Sequence, residues 1–329
     1  MASQQGLSLL RYPLCSASSF RVEAQSVVES GRSDHGDRLY CAGCSADFPI
    51  VNGVPRFVPA EGYAGSFGYQ WNRHRATQLD SFTGRPVSRD RLFGTSKWDQ
   101  DLRGQTVLEA GSGAGRFTEI LASTGAQVFT FDLSNAVDAN RTNNQRFPNV
   151  HFAQGDILNA PFQFDAFDKV MCLGVIQHTP DPYASFRSLA RHVKPGGSLV
   201  IDCYARHLKS LLHWKYLLRP ITTRMNQQRL YSIIEKVVPP LLPISATLSE
   251  FLGPVGARLL PILQYRHLGL PPELNRQWAI LDTFDMYSPA FDRPQTVQAV
   301  RRWYEECEFI EIDVRFGENG IVAVGRKPT

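Results

Sequence analysis

A glycine-rich turn after a short apolar run constrains this chain more than any other feature. It reads Val107-Leu-Glu-Ala-Gly111-Ser-Gly113-Ala-Gly115-Arg, with three glycines at alternate positions. Glycine lets a backbone approach a ligand closely, because any Cβ would hold the ligand off. In the dinucleotide-binding fingerprint the third glycine lies three residues after the second. Here it lies two residues after, so the pattern departs from that fingerprint.

Apolar runs of strand length alternate with segments of helical periodicity from residue 105 onward. The strand-like runs are residues 106–110, 127–131, 150–153, 169–174 and 198–203, and the helical segments are residues 117–122, 137–144 and 182–192. Lys194-Pro-Gly-Gly197 is predicted to stop the last helix. This alternation predicts an α/β fold, with a parallel sheet, right-handed crossovers and helices on both faces.

The other segments frame this core, which we place at residues 105–203. Residues 1–60 are predicted to form a small irregular module, and residues 61–104 a helical connector. The connector contains Phe67-Gly-Tyr-Gln-Trp71-Asn-Arg73, whose aromatics and arginine either cover a cofactor carboxylate or join two domains. Residues 204–281 read as a helical, proline-punctuated insertion that caps the core. A helix over 296–307 and strands over 310–314 and 320–324 predict that residues 282–329 complete the sheet.

Composition bounds the class of protein. Hydrophobic residues make up 43% of the 329 residues and charged residues 20%, which is typical of globular proteins. The chain has neither a run of about 18 apolar residues nor a signal-like beginning, so the sequence predicts a cytoplasmic protein. Six cysteines are too few for a disulfide framework in a chain of this size, and reduced thiols are expected.

The positive charge is concentrated in the insertion. The net charge of +4 is too small to favour a nucleic-acid partner, yet residues 204–281 contain ten Lys and Arg against three Glu. Leu208, Leu211, Leu212 and Tyr216 recur there at helical spacing among basic residues that include Lys209. Three uses fit: a lid over an acceptor pocket, a surface for an anionic or lipid-linked acceptor, and an oligomer contact. A peripheral contact with a membrane through residues 204–281 is compatible with the second use. The oligomeric state is left open.

At the glycine turn the chain resembles the class I S-adenosylmethionine-dependent methyltransferases, whose first motif is an acidic residue followed by this compact pattern. The resemblance covers residues 106–203. It implies a Rossmann-like, seven-stranded, mostly parallel sheet and a methyltransferase that takes S-adenosyl-L-methionine as its cofactor. It also implies that the methionine part of the cofactor lies against Glu109, Gly111, Ser112, Gly113 and Gly115.

Further matches follow at successive strand ends. The resemblance implies that Asp132 accepts hydrogen bonds from the ribose hydroxyls, with Leu133 beside it. Asp156 and Ile157 follow the next strand, where the family places a carboxylate near the adenine amino group and an apolar residue against the ring. Leu173 ends a further strand, where cofactor and acceptor meet. Each aspartate alone could be a helix cap or a turn residue, so only their joint occurrence favours a cofactor site.

Methyl transfer from a sulfonium requires in-line placement and exclusion of water more than acid-base catalysis. A hydroxyl acceptor also needs a base, and His178 is the nearest histidine to the expected methyl position. The same residues, His178-Thr-Pro-Asp-Pro, are equally explained as a loop motif that is independent of the acceptor. The acceptor is expected to be a small molecule methylated at oxygen, such as a glycan, a lipid-linked intermediate or a secondary metabolite. Asp282, Asp285 and Tyr287 could orient it.

Two other functions fit the sequence. An RNA or protein methyltransferase would need a continuous basic surface leading to the site, whereas a small acceptor would need an enclosed pocket. A non-catalytic cofactor-binding scaffold would retain the cofactor residues without turnover.

The N-terminal module resembles the second half of a zinc ribbon, through Cys41-Ala-Gly-Cys44 and the apolar residues that follow. A complete ribbon holds zinc with four ligands. The first half here reads Cys15-Ser-Ala-Ser18, and serine is a poor zinc ligand. His35 is a candidate substitute. We predict a degenerate ribbon that has lost its metal.

Overall fold

Two sheets lie within the residues that the computed structural model describes, which are 8–12, 14–23, 37–58, 62–206 and 214–329. The N-terminal sheet consists of β1 (Phe20–Glu23), β2 (Arg38–Cys41), β3 (Asp47–Val51) and β4 (Val54–Pro55). The central sheet consists of β5 (Thr106–Ala110), β6 (Gln127–Asp132), β7 (Val150–Gln154), β8 (Phe167–Leu173), β9 (Val193–Cys203), β10 (Ile310–Gly317) and β11 (Gly320–Arg326).

The central sheet combines five parallel strands with an antiparallel strand near one edge. Its order is β10-β11-β9-β8-β5-β6-β7, and the strands from β5 to β9 pair in parallel. β11 runs antiparallel to both β9 and β10. The predicted Rossmann-like α/β sheet, seven-stranded and mostly parallel, is therefore confirmed.

Helices cover both faces of the sheet and continue into a cap. In chain order they are α1 (Gly65–Arg73), α2 (Asp80–Thr83), α3 (Val87–Ser96), α4 (Arg116–Ser123), α5 (Ala136–Asn144), α6 (Pro182–Ala190), α7 (Trp214–Thr222), α8 (Gln227–Gly256), α9 (Pro272–Tyr287) and α10 (Val297–Glu306). The first three follow the N-terminal module, and α7, α8 and α9 form the cap. None of the helices in the described ranges has the length and apolar character needed to cross a bilayer.

The strands place alternate residues in two apolar layers. In β5, Val107 and Leu108 are both buried, but they belong to separate hydrophobic clusters because successive side chains of a strand point to opposite faces. The Leu108 layer is filled by Phe186 of α6 and Tyr304 of α10. The Val107 layer includes Leu121 of α4. The sheet is therefore buried on both faces, as parallel sheets require.

The N-terminal module covers the β7 edge of the central sheet. The Phe57 amide donates to the carbonyl oxygen of Gln154 at 2.9 Å, which continues the ladder beyond β7. The buried guanidinium of Arg56 donates to Gln154 Oε1 at 3.2 Å and to the Asp138 carboxylate at 2.6 Å. Since exposed strand edges invite aggregation, this contact gives the module a structural role.

The cap has an apolar core of its own. Leu230 and Ile234 of α8 are buried against Ile280 and Phe284 of α9, in a cluster separate from the two layers of the sheet. Tyr69 of α1 packs against this cluster. The cap is therefore joined to the connector through apolar contact. Of the insertion residues singled out in the sequence, Leu208, Lys209, Leu211 and Leu212 lie outside the described residues.

One predicted boundary was wrong. The helix predicted over 182–192 ends at Ala190, and the glycine-proline run that was expected to stop it lies inside β9. Phe167 pairs with Val193 and Lys169 with Ser198, so residues 194–197 bulge opposite a single residue of β8. Proline has no amide to donate and Gly196 has a φ of 75°, and both features suit a bulge.

Tyr304→Phe should lower the free energy of unfolding by about 1–2 kcal/mol. The hydroxyl of this fully buried side chain donates to the carbonyl oxygens of Leu199 and Ala323, at 3.2 and 3.0 Å. Urea denaturation measures the loss. Tyr183→Phe is the control, since its hydroxyl bonds Glu306 at the surface, and it should change stability by less than about 0.5 kcal/mol. Equal losses in the two variants would contradict the assignment.

Candidate cofactor and acceptor site

A cavity of about 1900 Å³ opens at the carboxyl ends of the parallel strands. It lies where β5 has β6 on one side and β8 on the other, the point at which the chain reverses its direction across the sheet. Open α/β sheets bind ligands at such switch points. Sites for one small molecule occupy roughly 300–1,000 Å³. This cavity therefore has room for a cofactor and a second ligand.

The glycine turn forms one wall, and its glycines are needed by the protein's own packing. Gly111 has a φ of 73°, and a Cβ there would collide with the side chain of Val175. Gly115 has a φ of 87°, and a Cβ there would collide with the side chain of Asn140. Gly111, Ser112 and Gly113 line the cavity. Gly115 does not, and instead precedes the first turn of α4.

Asp132 lines the cavity at the end of β6 and also fixes the turn. Its Oδ2 accepts a hydrogen bond from the Gly113 amide at 2.9 Å, and its Oδ1 accepts from the Ser134 amide and hydroxyl at 2.8 and 2.7 Å. A carboxylate offers about four lone-pair positions. Three are used within the protein, so Oδ2 keeps one for a ligand hydroxyl. Burial raises the pKa of Asp132, while the bonds from Ser134 and Gly113 oppose that rise.

Glu109 lies beneath the turn and not on the cavity wall. Its Oε2 accepts hydrogen bonds from the hydroxyls of Thr118 and Thr130, and its Oε1 has no partner among the described residues. Burial raises its pKa to about 7. The side chain therefore stands behind the glycine backbone, where it supports the turn from the core.

The ends of β7 and β8 supply the next part of the wall. Ile157 lines the cavity, as do Leu133 and Leu173. Asp156 does not: its carboxylate accepts from the Leu158 amide at 2.9 Å and caps the 3₁₀ turn Ile157–Asn159. The contact of Asp156 with an adenine amino group accordingly stays a prediction.

His178 lines the cavity at the 3₁₀ turn Ile176–His178, after β8. Its Nδ1 lies 2.9 Å from the carbonyl oxygen of Phe291, which can only accept, so Nδ1 carries the proton. Nε2 has no hydrogen-bond partner among the described residues. Burial lowers the pKa of His178, so the ring is neutral near pH 7. A neutral ring with a bonded Nδ1 has its basic lone pair on Nε2.

The connector contributes aromatic side chains that sequence reasoning could place only in general terms. Phe67 and Trp71 line the cavity, and the Trp71 indole covers Gly113. Arg73 points elsewhere: it lies over the ring of Tyr231 and 3.6 Å from the carboxylate of Glu235, both on α8. The segment therefore joins the connector to the cap through Arg73, and a role of its aromatics over the cofactor carboxylate stays a prediction.

A polar network at the acceptor end of the cavity includes a residue that the sequence did not reveal. Arg116, at the start of α4, donates to Gln78 Oε1 at 2.8 Å, and Gln78 Nε2 donates to Asp282 at 3.0 Å. Trp278 also donates to Asp282, at 3.0 Å. Burial raises the pKa of Asp282 to about 6. The sequence feature that could have identified Arg116 is its position directly after the third glycine.

Asp285 and Tyr287, the other two residues of α9 expected near the acceptor, differ in placement. Asp285 lines the cavity and accepts from Gln70 Nε2 at 3.0 Å. Tyr287 is absent from the cavity wall, and its hydroxyl donates to the carbonyl oxygen of Pro261 within the cap.

Three cysteine sulfurs converge in the N-terminal module. The Sγ atoms of Cys15, Cys41 and Cys44 lie within 4.8 Å of one another, and no fourth Cys, His, Asp or Glu joins them among the described residues. His35, the candidate fourth ligand, lies outside those residues. Three thiols are one ligand short of a structural zinc site. That the ribbon has lost its metal stays a prediction.

Part of this chain is similar to known methyltransferases. Residues 108–201 match the family model of the methyltransferase domain. A ubiquinone biosynthesis O-methyltransferase of Coxiella burnetii is 32% identical over 115 residues, which are 34% of this chain and 49% of that protein. One of Xanthomonas oryzae is 36% identical over 109 residues, 32% of this chain and 46% of that protein. The chain thus spans about half the length of the curated relatives it matches.

Human N-acetylserotonin methyltransferase, solved in complex with SAM, is 15% identical to this chain, with a TM-score of 0.44. The match covers 83% of this chain and 61% of the human chain. The family match identifies residues 108–201 as a methyltransferase domain. It supports the predicted enzyme class, an S-adenosylmethionine-dependent methyltransferase, and the predicted cofactor.

Glu109→Gln should remove a pH dependence of stability. The folded protein holds the Glu109 proton up to about pH 7, whereas the unfolded chain releases it near the ordinary value of 4.5. The wild type should therefore lose stability, relative to the variant, as pH rises from about 5 to about 7, on the order of 2 kcal/mol. Urea denaturation across that range measures the difference.

Glu305→Gln, at an exposed glutamate of α10, serves as the matched control and should follow the wild type. A wild type and a Glu109→Gln variant whose stabilities change in parallel with pH would show that Glu109 ionises freely in the fold.

Proposed function

We propose that this protein is an S-adenosylmethionine-dependent methyltransferase that transfers a methyl group to an oxygen atom of a small-molecule acceptor. One observation carries the proposal: the glycine turn, Asp132 and His178, far apart in the sequence, line one cavity at the switch point of the sheet. The match of residues 108–201 to the methyltransferase domain supports the reaction class. The similarity to the two bacterial O-methyltransferases supports oxygen as the methylated atom.

The residues of the cavity fit the cofactor. The Ser112 hydroxyl is buried without a partner among the described residues, and Asp132 Oδ2 has one free lone-pair position. Ser112 would hold the amino-acid part, Asp132 a ribose hydroxyl, and Leu133 and Ile157 the flat base. When bound, the cofactor supplies an electrophilic methyl group on a sulfonium. The protein has to position the acceptor in line with it and exclude water.

The cap forms the acceptor end of the cavity. Tyr265 and Asp282 lie on its wall. We assign the insertion over 204–281 the role of a cover that encloses the acceptor and excludes water. A concave cavity with a cap beside it favours a small acceptor over RNA or a protein, which would need a continuous basic surface.

His178 supplies the base for a hydroxyl acceptor. Its Nδ1–H is held by the Phe291 carbonyl, so the lone pair on Nε2 is the position that takes the acceptor proton. The rings of Phe67 and Tyr204 pack against the imidazole, with centroids 5.2 and 5.4 Å away. They limit its rotation and shield it from water. A fixed base within reach of the acceptor is worth roughly 10²–10⁴-fold in rate.

Asp132→Asn should weaken cofactor binding. The amide nitrogen of Asn would face either the Gly113 amide or the Ser134 amide, and both are donors, so the turn loses one of its anchors. Isothermal titration with S-adenosylhomocysteine should show affinity weakened by at least about 100-fold, because a buried donor is left unpaired at the site.

Asp165→Asn provides the matched control, since that carboxylate bonds Lys327 at the surface and is absent from the cavity wall. It should bind like the wild type. Tight binding of NADH by the wild type, with none of S-adenosylmethionine, would overturn the proposal.

His178→Asn should lower the rate of methyl transfer by roughly 10²-fold or more. Asparagine can still donate to the Phe291 carbonyl but offers no basic nitrogen. Because the pKa of His178 lies below its ordinary value of 6.5, the wild-type rate should rise with pH through a midpoint under 6.5 and then stay level, and the variant should lack this rise. Fractionated cell extract supplies the acceptor. Transfer of label from an isotopically labelled methyl donor to that acceptor measures the rate.

The control for His178 is His192→Asn. His192 is also buried and also donates from Nδ1 to a carbonyl, that of Gln163 at 3.0 Å, but it does not line the cavity. Its variant should keep the wild-type rate and pH profile. A His178→Asn enzyme with an unchanged profile would remove His178 from the chemistry.

A further inference from the structure

Helix α7 presents its apolar side to solvent and its charged side to the protein. Leu217 and Ile221 are 60% and 65% exposed. On the opposite side, Arg219 is buried and donates to the Pro289 carbonyl at 2.7 Å, and Lys215 lies 2.8 Å from the Asp292 carboxylate. Surface helices of globular proteins have the reverse arrangement. Leu217 and Ile221 are therefore not used in packing within the described residues, although Leu218 of the same helix packs against the cap core.

Helix α8 is apolar on two sides. Leu230, Ile234 and Val238 are buried in the cap core. A second stripe follows at the same helical spacing and is exposed: Ile233, Val237, Pro240, Ile244 and Phe251. Phe251 is 82% exposed. A contiguous exposed apolar stripe usually marks an interaction surface, and the described residues do not cover this one.

The N-terminal end of α7 contacts the segment that follows α8. The indole nitrogen of Trp214 in α7 donates to the Leu259 carbonyl just after α8, at 2.9 Å. We call the exposed apolar side chains of the two helices the apolar face: Trp214, Leu217, Ile221, Ile233, Val237, Ile244, Phe251, Leu252 and Val255. Tyr216 and Ala257, which are neighbours of these residues in the chain, line the cavity. The apolar face therefore lies at the rim of the acceptor chamber.

Unpaired basic residues border the apolar face. Arg229 and Lys236 lie four residues before Ile233 and Pro240, so they flank the exposed stripe of α8. Neither forms an ion pair with any described residue. The glutamates of α8 are already neutralised, Glu235 by Arg73 and Glu250 by Arg266. The border therefore carries net positive charge.

We propose that the apolar face binds the surface of an anionic lipid membrane. Exposed apolar side chains beside unpaired Lys and Arg are the combination that interfacial helices use, with the apolar groups in the acyl boundary and the cations at lipid headgroups. A second copy of the chain is disfavoured as the cover, because a two-fold contact would place the same cations opposite one another. Contact at the rim would also let an acceptor with an apolar tail enter from the bilayer, a consequence that rests on the proposed function.

Vesicle sedimentation tests the proposal with the full chain, in the absence of cofactor and acceptor. The wild type should bind vesicles of phosphatidylcholine with about one third phosphatidylglycerol roughly tenfold more tightly than vesicles of phosphatidylcholine alone. Leu217→Asp and Phe251→Asp should each weaken binding to the anionic vesicles by about tenfold or more, because each removes one large apolar group from the acyl boundary. Arg229→Gln combined with Lys236→Gln should remove most of the preference for anionic lipid.

Phe82→Asp is the matched control. Phe82 is 58% exposed on α2, outside the apolar face, and its variant should bind like the wild type. Circular dichroism and thermal unfolding should show all variants folded, because the substituted side chains are exposed. A wild type that binds neither kind of vesicle would overturn the proposal, as would Leu217→Asp and Phe251→Asp variants that bind normally.

Light scattering tests whether the apolar face binds a second copy of the chain instead of a membrane. A dimer that Phe251→Asp converts to a monomer would assign the apolar face to a second copy and overturn the membrane proposal. Failure of the proposed function would appear separately, as loss of S-adenosylmethionine binding, because the vesicle assay contains no cofactor.

Discussion

The hydrogen bond from the Gly113 amide to the Asp132 carboxylate is the interaction on which the site depends. It joins the turn after β5 to the end of β6, and two further bonds from Ser134 hold the same carboxylate. A buried carboxylate is costly unless it is hydrogen-bonded, so neither the turn nor the strand end can move without leaving a charge unpaired. The cavity wall is rigid at this point because one side chain fixes two segments of backbone.

Much of this arrangement is predictable because local patterns and sheet topology determine it. The apolar run before Gly111 and the helical period after Gly115 set a strand and a helix, and parallel strands place their carboxyl ends at one edge. Asp132 and His178 therefore meet the glycine turn in space. Which side chains reach the cavity is less predictable, since it depends on rotation about the strand end. Glu109 and Asp156 were predicted to contact the cofactor by the same reasoning, yet both are absent from the cavity wall.

Contacts between distant segments could not be predicted, because no local pattern encodes them. Gln78 of the connector bonds both Arg116 of the core and Asp282 of the cap, residues that lie 38 and 204 positions away. Gln70 of the connector bonds Asp285 of the cap, 215 positions away. Gln78 thus connects α9 to the core, and Gln70 connects α9 to the connector. Gln78 couples the position of the cap to the first turn of α4, on the wall of the same cavity.

The orientation of α7 was beyond the sequence for a related reason. Helical periodicity identifies an apolar side and a charged side, but it does not say which side turns inward. Here the residues that bind the charged side determine the orientation of α7. The Pro289 carbonyl and the Asp292 carboxylate lie after α9, and they bind Arg219 and Lys215. Polar anchors turn the side of α7 that carries Leu217 and Ile221 away from the fold, while Leu218 packs against the cap core. The cap therefore lines the cavity with some of its side chains and presents exposed apolar side chains elsewhere on its surface.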